Sequence, residues 1–171
     1  MGNKILIEEL TEKDIEKCLE IYNHYITNTC FTLEEQELTY QAFKKRYLKI
    51  SEKYPFIVIK NSDKEVLGYA YLNYFNSRSA YRHTADLSIY ISKEHTQEHL
   101  GNLLLKKIEE EALTKKITTI ISIVVTENMA SSKFHIKNGF ILEGTLHDVA
   151  YKFNRNISVS YYRKRLNNEN L

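Results

Sequence analysis

The sequence predicts a layered α/β domain, a mixed central sheet of about seven strands flanked by about four helices. Strand and helix periodicities alternate along the chain in the order β–α–α–β–β–β–α–β–α–β–β. An antiparallel hairpin precedes a strand–helix–strand unit, and such a unit requires a parallel pair within an otherwise antiparallel sheet. No linker, repeat or low-complexity run breaks the pattern, so residues 1–171 read as a single domain.

Each element has a local reason. Lys4 to Glu9 alternates loosely as a short strand, and Thr11 with Asp14 has the form of a capping box ahead of a helix. Ile15, Cys18, Leu19, Tyr22, Tyr25 and Ile26 recur at helical spacing. A polar break from Thr27 to Thr39 separates this helix from a second one carrying Phe43, Tyr47, Leu48 and Ile50. Phe56–Ile59 and Val66–Phe75, joined by Asn61-Ser62-Asp63-Lys64, form a hairpin, and Thr84–Ile91 is a further strand. From Leu100 the positions Leu103, Leu104, Ile108 and Ala112 make an amphipathic helix. The β-branched run Ile117–Val125 suits a central strand. Asn128–Asn138 is a short helix closed by Gly139, a left-handed cap. Phe140–Arg163 supplies two strands turning near Asn154-Arg155-Asn156.

Composition narrows the function. Lys and Arg number 24 against 22 Asp and Glu, a net charge of +2, too balanced to indicate nucleic acid or an anionic membrane. Cys18 and Cys30 have neither metal-ligand nor disulfide spacing, and Cys18 falls on an apolar helix face as a buried free thiol. No N-terminal stretch resembles a signal peptide, and no run approaches the ~20 apolar residues of a membrane span. A cytoplasmic setting is expected.

Ser88–Ser92 with the loop that follows it, the run Phe75–Asp86 and the block Asn128 to Phe140 resemble the GNAT N-acetyltransferases, and within them the phosphinothricin N-acetyltransferase branch. Ser88–Ser92, the loop Lys93–His99 and the helix opening Leu100-Gly101-Asn102-Leu103-Leu104 look like the acetyl-CoA motif. Asn128 to Phe140 is similar to the pattern N-x-x-S-x-x-L-H-x-K-x-G-F, with many positions matched at fixed spacing. Phe75–Asp86 resembles the branch's F-x-x-R-x-A-Y-R-x-T-x-E run, and Tyr151–Arg155 its F-K-x-G-R turn. The likeness covers roughly residues 4 to 166. One departure stands out: the family's Q/R-x-x-G-x-G/A loop is represented by Thr96-Gln97-Glu98-His99-Leu100-Gly101, in which Gly101 alone is kept. His99 reaches left-handed backbone only at some cost, and Glu98 puts negative charge near the expected phosphates.

The resemblance implies a GNAT fold, acetyl-CoA as co-substrate, no metal, and direct attack of an amine on the thioester. Backbone N–H groups of Ile89 and Ile91 are expected to hold pantetheine. Thr96, His99, Leu100, Gly101 and Asn102 are expected to cradle the pyrophosphate at a helix N-terminus. Asn128 and Ser131 are expected on the cofactor arm, with Lys137 near its phosphates. His135 is expected to protonate the leaving thiolate, and Asp86 to help deprotonate the amine through a water. Glu34, with Glu35, is expected to line the acceptor pocket and read its amino group. Arg78, Tyr81 and Arg82 flank the acceptor, since guanidinium groups suit a carboxylate or phosphinate. Each residue also has a plainer reading: Ile89 and Ile91 as core, His135 as packed, Asp86 paired with Arg82, and Glu34 and Glu35 as solvated loop.

The expected activity is therefore acetyl transfer to a small amino-acid-like amine such as phosphinothricin or methionine sulfoximine. The related enzymes imply a homodimer, and neither nucleic acid nor membrane is an expected partner. Two alternatives remain open: a non-catalytic acyl-CoA-sensing module on the same fold, and a peptide or protein N-acetyltransferase with a more open groove.

Overall fold

The computed structural model describes residues 5–96 and 99–166. The chain runs through β1 (Leu6–Glu9), α1 (Ile15–Asn28), α2 (Tyr40–Ser51), β2 (Phe56–Lys60), β3 (Val66–Tyr74) and β4 (Thr84–Ile91). It continues through α3 (Leu100–Thr114), β5 (Thr119–Val125), α4 (Met129–Lys137), β6 (Ile141–Lys152) and β7 (Arg155–Arg165). This is the mixed seven-stranded sheet with four helices that the sequence predicts.

Local chemistry explains the boundaries. The Thr11 N–H and hydroxyl donate to the Asp14 carboxylate at 2.9 and 2.8 Å, completing the capping box ahead of α1. Asp14 is also met by Lys60 Nζ at 2.7 Å, and Lys60 reaches Glu8 at 2.6 Å, which ties β1, β2 and the α1 entry together. Thr39 caps α2 by accepting from the Ala42 N–H. Asn61 Oδ1 accepts from the N–H groups of Asp63 and Glu65, shaping the β2–β3 turn. Asn128 caps α4 through the Ser131 N–H, and Gly139 closes it at φ 83°.

The strands lie in the order β1-β2-β3-β4-β5-β7-β6, with β4–β5 the parallel pair and α3 the crossover. Tyr69 on β3 and Tyr90 on β4 meet Phe43 of α2 and Tyr22 and Tyr25 of α1. Ala70, Leu72 and Leu87 alternate to the other face, where α3 packs against β2, β3 and β4 and buries Leu104, Leu105 and Ile108. Cys18 is fully buried, as its helix face predicts.

Two features differ from expectation at the last hairpin. The turn centres on Phe153 and Asn154, at φ 53° and 58°, one residue before the expected triplet. Both central residues of a tight primed turn take positive φ, which is a property of strand twist as much as of residue type. Between Leu146 and Ala150 the β6–β7 register also shifts, with Asp148 at φ 55° and its N–H on the Ser158 hydroxyl.

Gly68 sets how closely β3 meets β4. A Cβ there would lie 2.7 Å from Ile91 Cδ1 and 2.8 Å from the Tyr90 carbonyl oxygen. Gly68→Ala is expected to lower the unfolding free energy by about 1–3 kcal/mol in urea titration. An unchanged midpoint would mean that this strand contact yields without cost.

Candidate active site

β4 and β5 pair over three rungs only, Thr84↔Thr119, Ala85↔Ile120 and Asp86↔Ile121. Beyond Asp86 each strand stays with its outer neighbour: β4 follows β3 to Gly68↔Ile91, and β5 follows β7 to Val125↔Val159. The inner edges therefore separate. The Ser92 N–H donates to Leu67 O across the β3 side. By the alternation of an antiparallel ladder, even-numbered residues of β4 direct their main-chain groups to β3, and Leu87, Ile89 and Ile91 direct theirs into the gap. The Ile91 carbonyl accepts from the Tyr25 hydroxyl at 2.6 Å on that side.

The gap opens into a cleft of about 630 Å³. Ile89 and Ile91 line one wall, Ser122 to Val125 the other, and Thr96, His99, Gly101, Asn102, Asn128 and Ser131 the end nearer the helices. His99 stands in the left-handed region at φ 57° just before α3, the conformation a glycine would take more readily. A Cβ on Gly101 would lie 3.2 Å from the Phe134 ring, so α3 and α4 approach closely here, and Asn138 donates to Asn102 at 3.0 Å. Leu100 is a core side chain, so only its main chain is available to a ligand. Lys137 is exposed near the C-terminal end of α4 and is not among the cleft residues. Gln97 and Glu98 lie outside the described residues. An extended β-edge with free main-chain groups, ending at a helix N-terminus, is a chemical match for a pantetheine arm and its pyrophosphate.

His135 lies on the same wall, buried between Phe140, at a ring separation of 4.9 Å, and Tyr162, at 5.6 Å. Its Nδ1 is 2.7 Å from the Ser131 carbonyl oxygen. A carbonyl only accepts, so Nδ1 carries the proton and Nε2 presents a lone pair. Nε2 is buried without a hydrogen-bond partner. Burial lowers the histidine's pKa despite the Ser131 contact, favouring this neutral form.

Asp86 sits at the last rung before the strands part. It makes no ion pair among the described residues; Arg82 is exposed and turns to Ser79 O at 3.4 Å. Asp86 Oδ1 is buried without a partner, and desolvation raises the carboxyl pKa to about 7. Across the rungs on this face lie Asn73, opposite Asp86, and Tyr71, opposite Ser88.

Glu34 belongs to neither the cleft nor a free pocket wall. Its carboxylate is ion-paired with Arg46 of α2 and accepts from the Tyr22 hydroxyl at 3.2 Å. Arg46 lies over the Tyr22 ring at 5.5 Å, and Tyr22 bonds Thr32 at 3.0 Å. Lys152 closes the arrangement by donating to Thr32 O at 2.8 Å. The α1–α2 loop is thereby fixed over the sheet, with Phe31 facing the cleft.

Arg78, Tyr81 and Arg82 come together in one place, a second cleft of about 830 Å³ beside α2 that Arg46, Tyr71 and Asn73 also line. Tyr71, Ser88 and Arg46 were not singled out by the sequence. The only local signal was Arg46 among the polar positions of a helix; the others depend on strand register.

The matched residues and their setting agree with known proteins. Residues 7–159 match the model of the family described as acetyltransferase (GNAT) domain. The chain is similar to a phosphinothricin N-acetyltransferase of Alcaligenes faecalis, at 28% identity covering 94% of this chain and 82% of the relative. It is 25% identical to an L-methionine sulfoximine/L-methionine sulfone acetyltransferase of Pseudomonas paraeruginosa, over 90% of both chains. A crystal structure of a GNAT superfamily phosphinothricin acetyltransferase from Sinorhizobium meliloti in complex with acetyl-CoA superposes at TM-score 0.91, with 25% identity, covering 97% of this chain and 89% of that one. The parted strands and the matched sequence converge on one conclusion: the chain belongs to the GNAT family and is an acetyl-CoA-dependent acetyltransferase.

Proposed function

We propose that the chain acetylates the primary amine of a small amino-acid-like acceptor, of the kind represented by phosphinothricin and methionine sulfoximine, by direct attack in a ternary complex. The observation that carries this reading is the half-buried Asp86 carboxyl, whose Oδ1 has no hydrogen-bond partner among the described residues, at the point where the cofactor-side cleft begins, flanked by the Arg78–Arg82 cleft. Acetyl-CoA supplies the activated thioester. Main-chain N–H groups of Ile89 and Ile91 hold and polarise it, and the main chain from His99 to Asn102, with Thr96, Asn128 and Ser131, holds the remainder of the arm.

Asp86 takes the proton of the acceptor ammonium through a water, because an aspartate falls one methylene short of direct reach. Its raised pKa suits a base working near neutrality. His135 has its Nδ1–H committed to Ser131, so Nε2 is the atom through which it takes up and passes a proton on the thiol side. Arg78 and Arg82 engage the acceptor carboxylate, with Tyr81 beside them. Glu34 does not line the acceptor cleft itself; it acts through Arg46, which it holds at that cleft's wall.

The whole chain, 1–171, works as one domain, in the cytoplasm, without metal, nucleic acid or membrane; no helix among the described residues is long and apolar enough to cross a bilayer. A homodimer is supported by exposed Ile141, Leu142, Leu146, Val149, Tyr151 and Phe153 along the last hairpin. Light scattering is expected to give twice the chain mass, reduced toward the monomer in Leu142→Asp/Leu146→Asp; a monomeric wild type removes the dimer.

Thiol release from acetyl-CoA across an amino-acid panel tests the activity; cofactor binding without turnover on any amine would favour a sensing module instead. Asp86→Asn is expected to lower kcat about 10²–10⁴-fold, and the wild-type rate should rise with pH to a plateau above about 7 as the base ionises. His135→Ala should lower kcat with acetyl-CoA affinity retained; collapse of affinity would make it a packing residue.

The Asp86 carboxyl also links stability to pH. Its folded pKa of about 7 exceeds the reference 3.8, so its stabilising contribution is complete below pH 4 and is lost as pH rises through 7. Relative to Asp86→Asn, the wild type should lose more than about 1 kcal/mol between pH 4 and 8 in urea titrations. Parallel curves would show that the carboxyl is solvated.

A further inference from the structure

The second cleft carries more positive charge than an amino-acid carboxylate needs. Lys45, Lys49 and Lys53 enter it from α2 and the turn after it, and Arg78 and Arg82 from the opposite side, with Glu52 the one acidic residue among those lining it. Arg46 also faces the cleft but is neutralised by Glu34. None of the other five cations has an ion pair among the described residues, although Lys53 lies over the Tyr54 ring.

Among the described residues, lysines occur both with and without an ion pair. Lys17, Lys107 and Lys164 are paired with Glu20, Glu111 and Glu109, and on α2 itself Lys44 is paired with Glu12. On α2, Lys44 away from the cleft has a partner, whereas Lys45 and Lys49 on the cleft side, and Lys53 in the turn after the helix, have none among the described residues. That spacing stacks like charges one turn apart, which is unfavourable for the helix. A cleft lined by one sign of charge focuses its field on whatever enters. The volume, about 830 Å³, lies near the upper end of the range of pockets for drug-sized ligands.

We propose that the acceptor is extended, and that beyond its amine and α-carboxylate it bears a distal, doubly charged anionic group held by Lys45, Lys49 and Lys53. This rests on the acetyl-transfer reading and adds a specificity determinant to it. The amine lies toward Asp86 and Ser88, the α-carboxylate at Arg78 and Arg82, and the distal dianion along α2. A phosphate ester and a paired carboxylate share this chemistry. The guanidinium groups suit planar carboxylate recognition, while the lysines act as point charges toward a dianion.

The test compares kcat/KM for L-methionine, O-phospho-L-homoserine and γ-carboxy-L-glutamate with the intact enzyme. A dianionic acceptor should exceed methionine by at least tenfold at low salt, with the advantage shrinking as ionic strength rises. The phosphate and dicarboxylate arms identify which group is preferred. In Lys45→Gln/Lys49→Gln the ratio of dianionic to neutral acceptor should fall toward one, while circular dichroism and acetyl-CoA titration verify that the variant is folded. Equal kcat/KM in the wild type, or a ratio unchanged in the variant, overturns the proposal and leaves acetyl transfer to neutral amino acids standing. Failure to acetylate any of the three while acetyl-CoA still binds counts against the acetyl-transfer reading itself.

Discussion

The short pairing of β4 with β5 governs this molecule. Three rungs of parallel ladder join two half-sheets, and each half continues to bond its own outer strand after the junction ends. A backbone edge left unpaired in a protein interior is costly unless another group satisfies it. Here the edge of β4 borders a cleft instead of water-free packing, so a ligand with its own amide groups can complete the sheet. The residues proposed for the chemistry are placed by this junction: Asp86 at its last rung and Ile89 and Ile91 along the opened edge, with His135 lining the cleft.

Buried polar groups separate into two kinds. Lys60 and Asp14 satisfy one another and Glu8 and Thr11, and their role is to lock β1 and β2 to α1. Lys152 finds the Thr32 carbonyl. Among the described residues Asp86 Oδ1 and His135 Nε2, like the core hydroxyl of Tyr69, instead have no hydrogen-bond partner. An unsatisfied buried polar atom costs roughly 1–3 kcal/mol, so two beside one cleft are a burden that folding alone does not justify. Asp86 and His135 are the two to which the proposed proton transfers are assigned.

The acceptor side is assembled differently. The α1–α2 loop contains no regular structure, yet Glu34, Thr32 and Phe31 are held by Arg46, Tyr22 and Lys152, drawn from α2, α1 and β6. Tyr90 supports Tyr22 from below at 5.0 Å. The loop is thus tied to α1, α2 and β6 by side-chain contacts.

Much of the local chemistry was legible from the chain, the last hairpin turn excepted. The bounds of β4, the Thr11–Asp14 capping box, the Asn128 cap and the Gly139 closure follow from neighbours within four residues, and so does the left-handed His99 once the glycine of the phosphate loop is replaced. The matched blocks named Asp86, His135 and the Arg78–Arg82 run. Tertiary structure alone decided what those residues meet. Tyr71 stands opposite Ser88 through strand register, and Glu34 is taken up by an arginine twelve residues on. Asp86 is free of Arg82, and the lysines of α2 face the same cleft as Arg78. Side-chain spacing sets which face a residue occupies; burial, charge pairing and protonation depend on what the other elements bring to that face, and no local pattern encodes that.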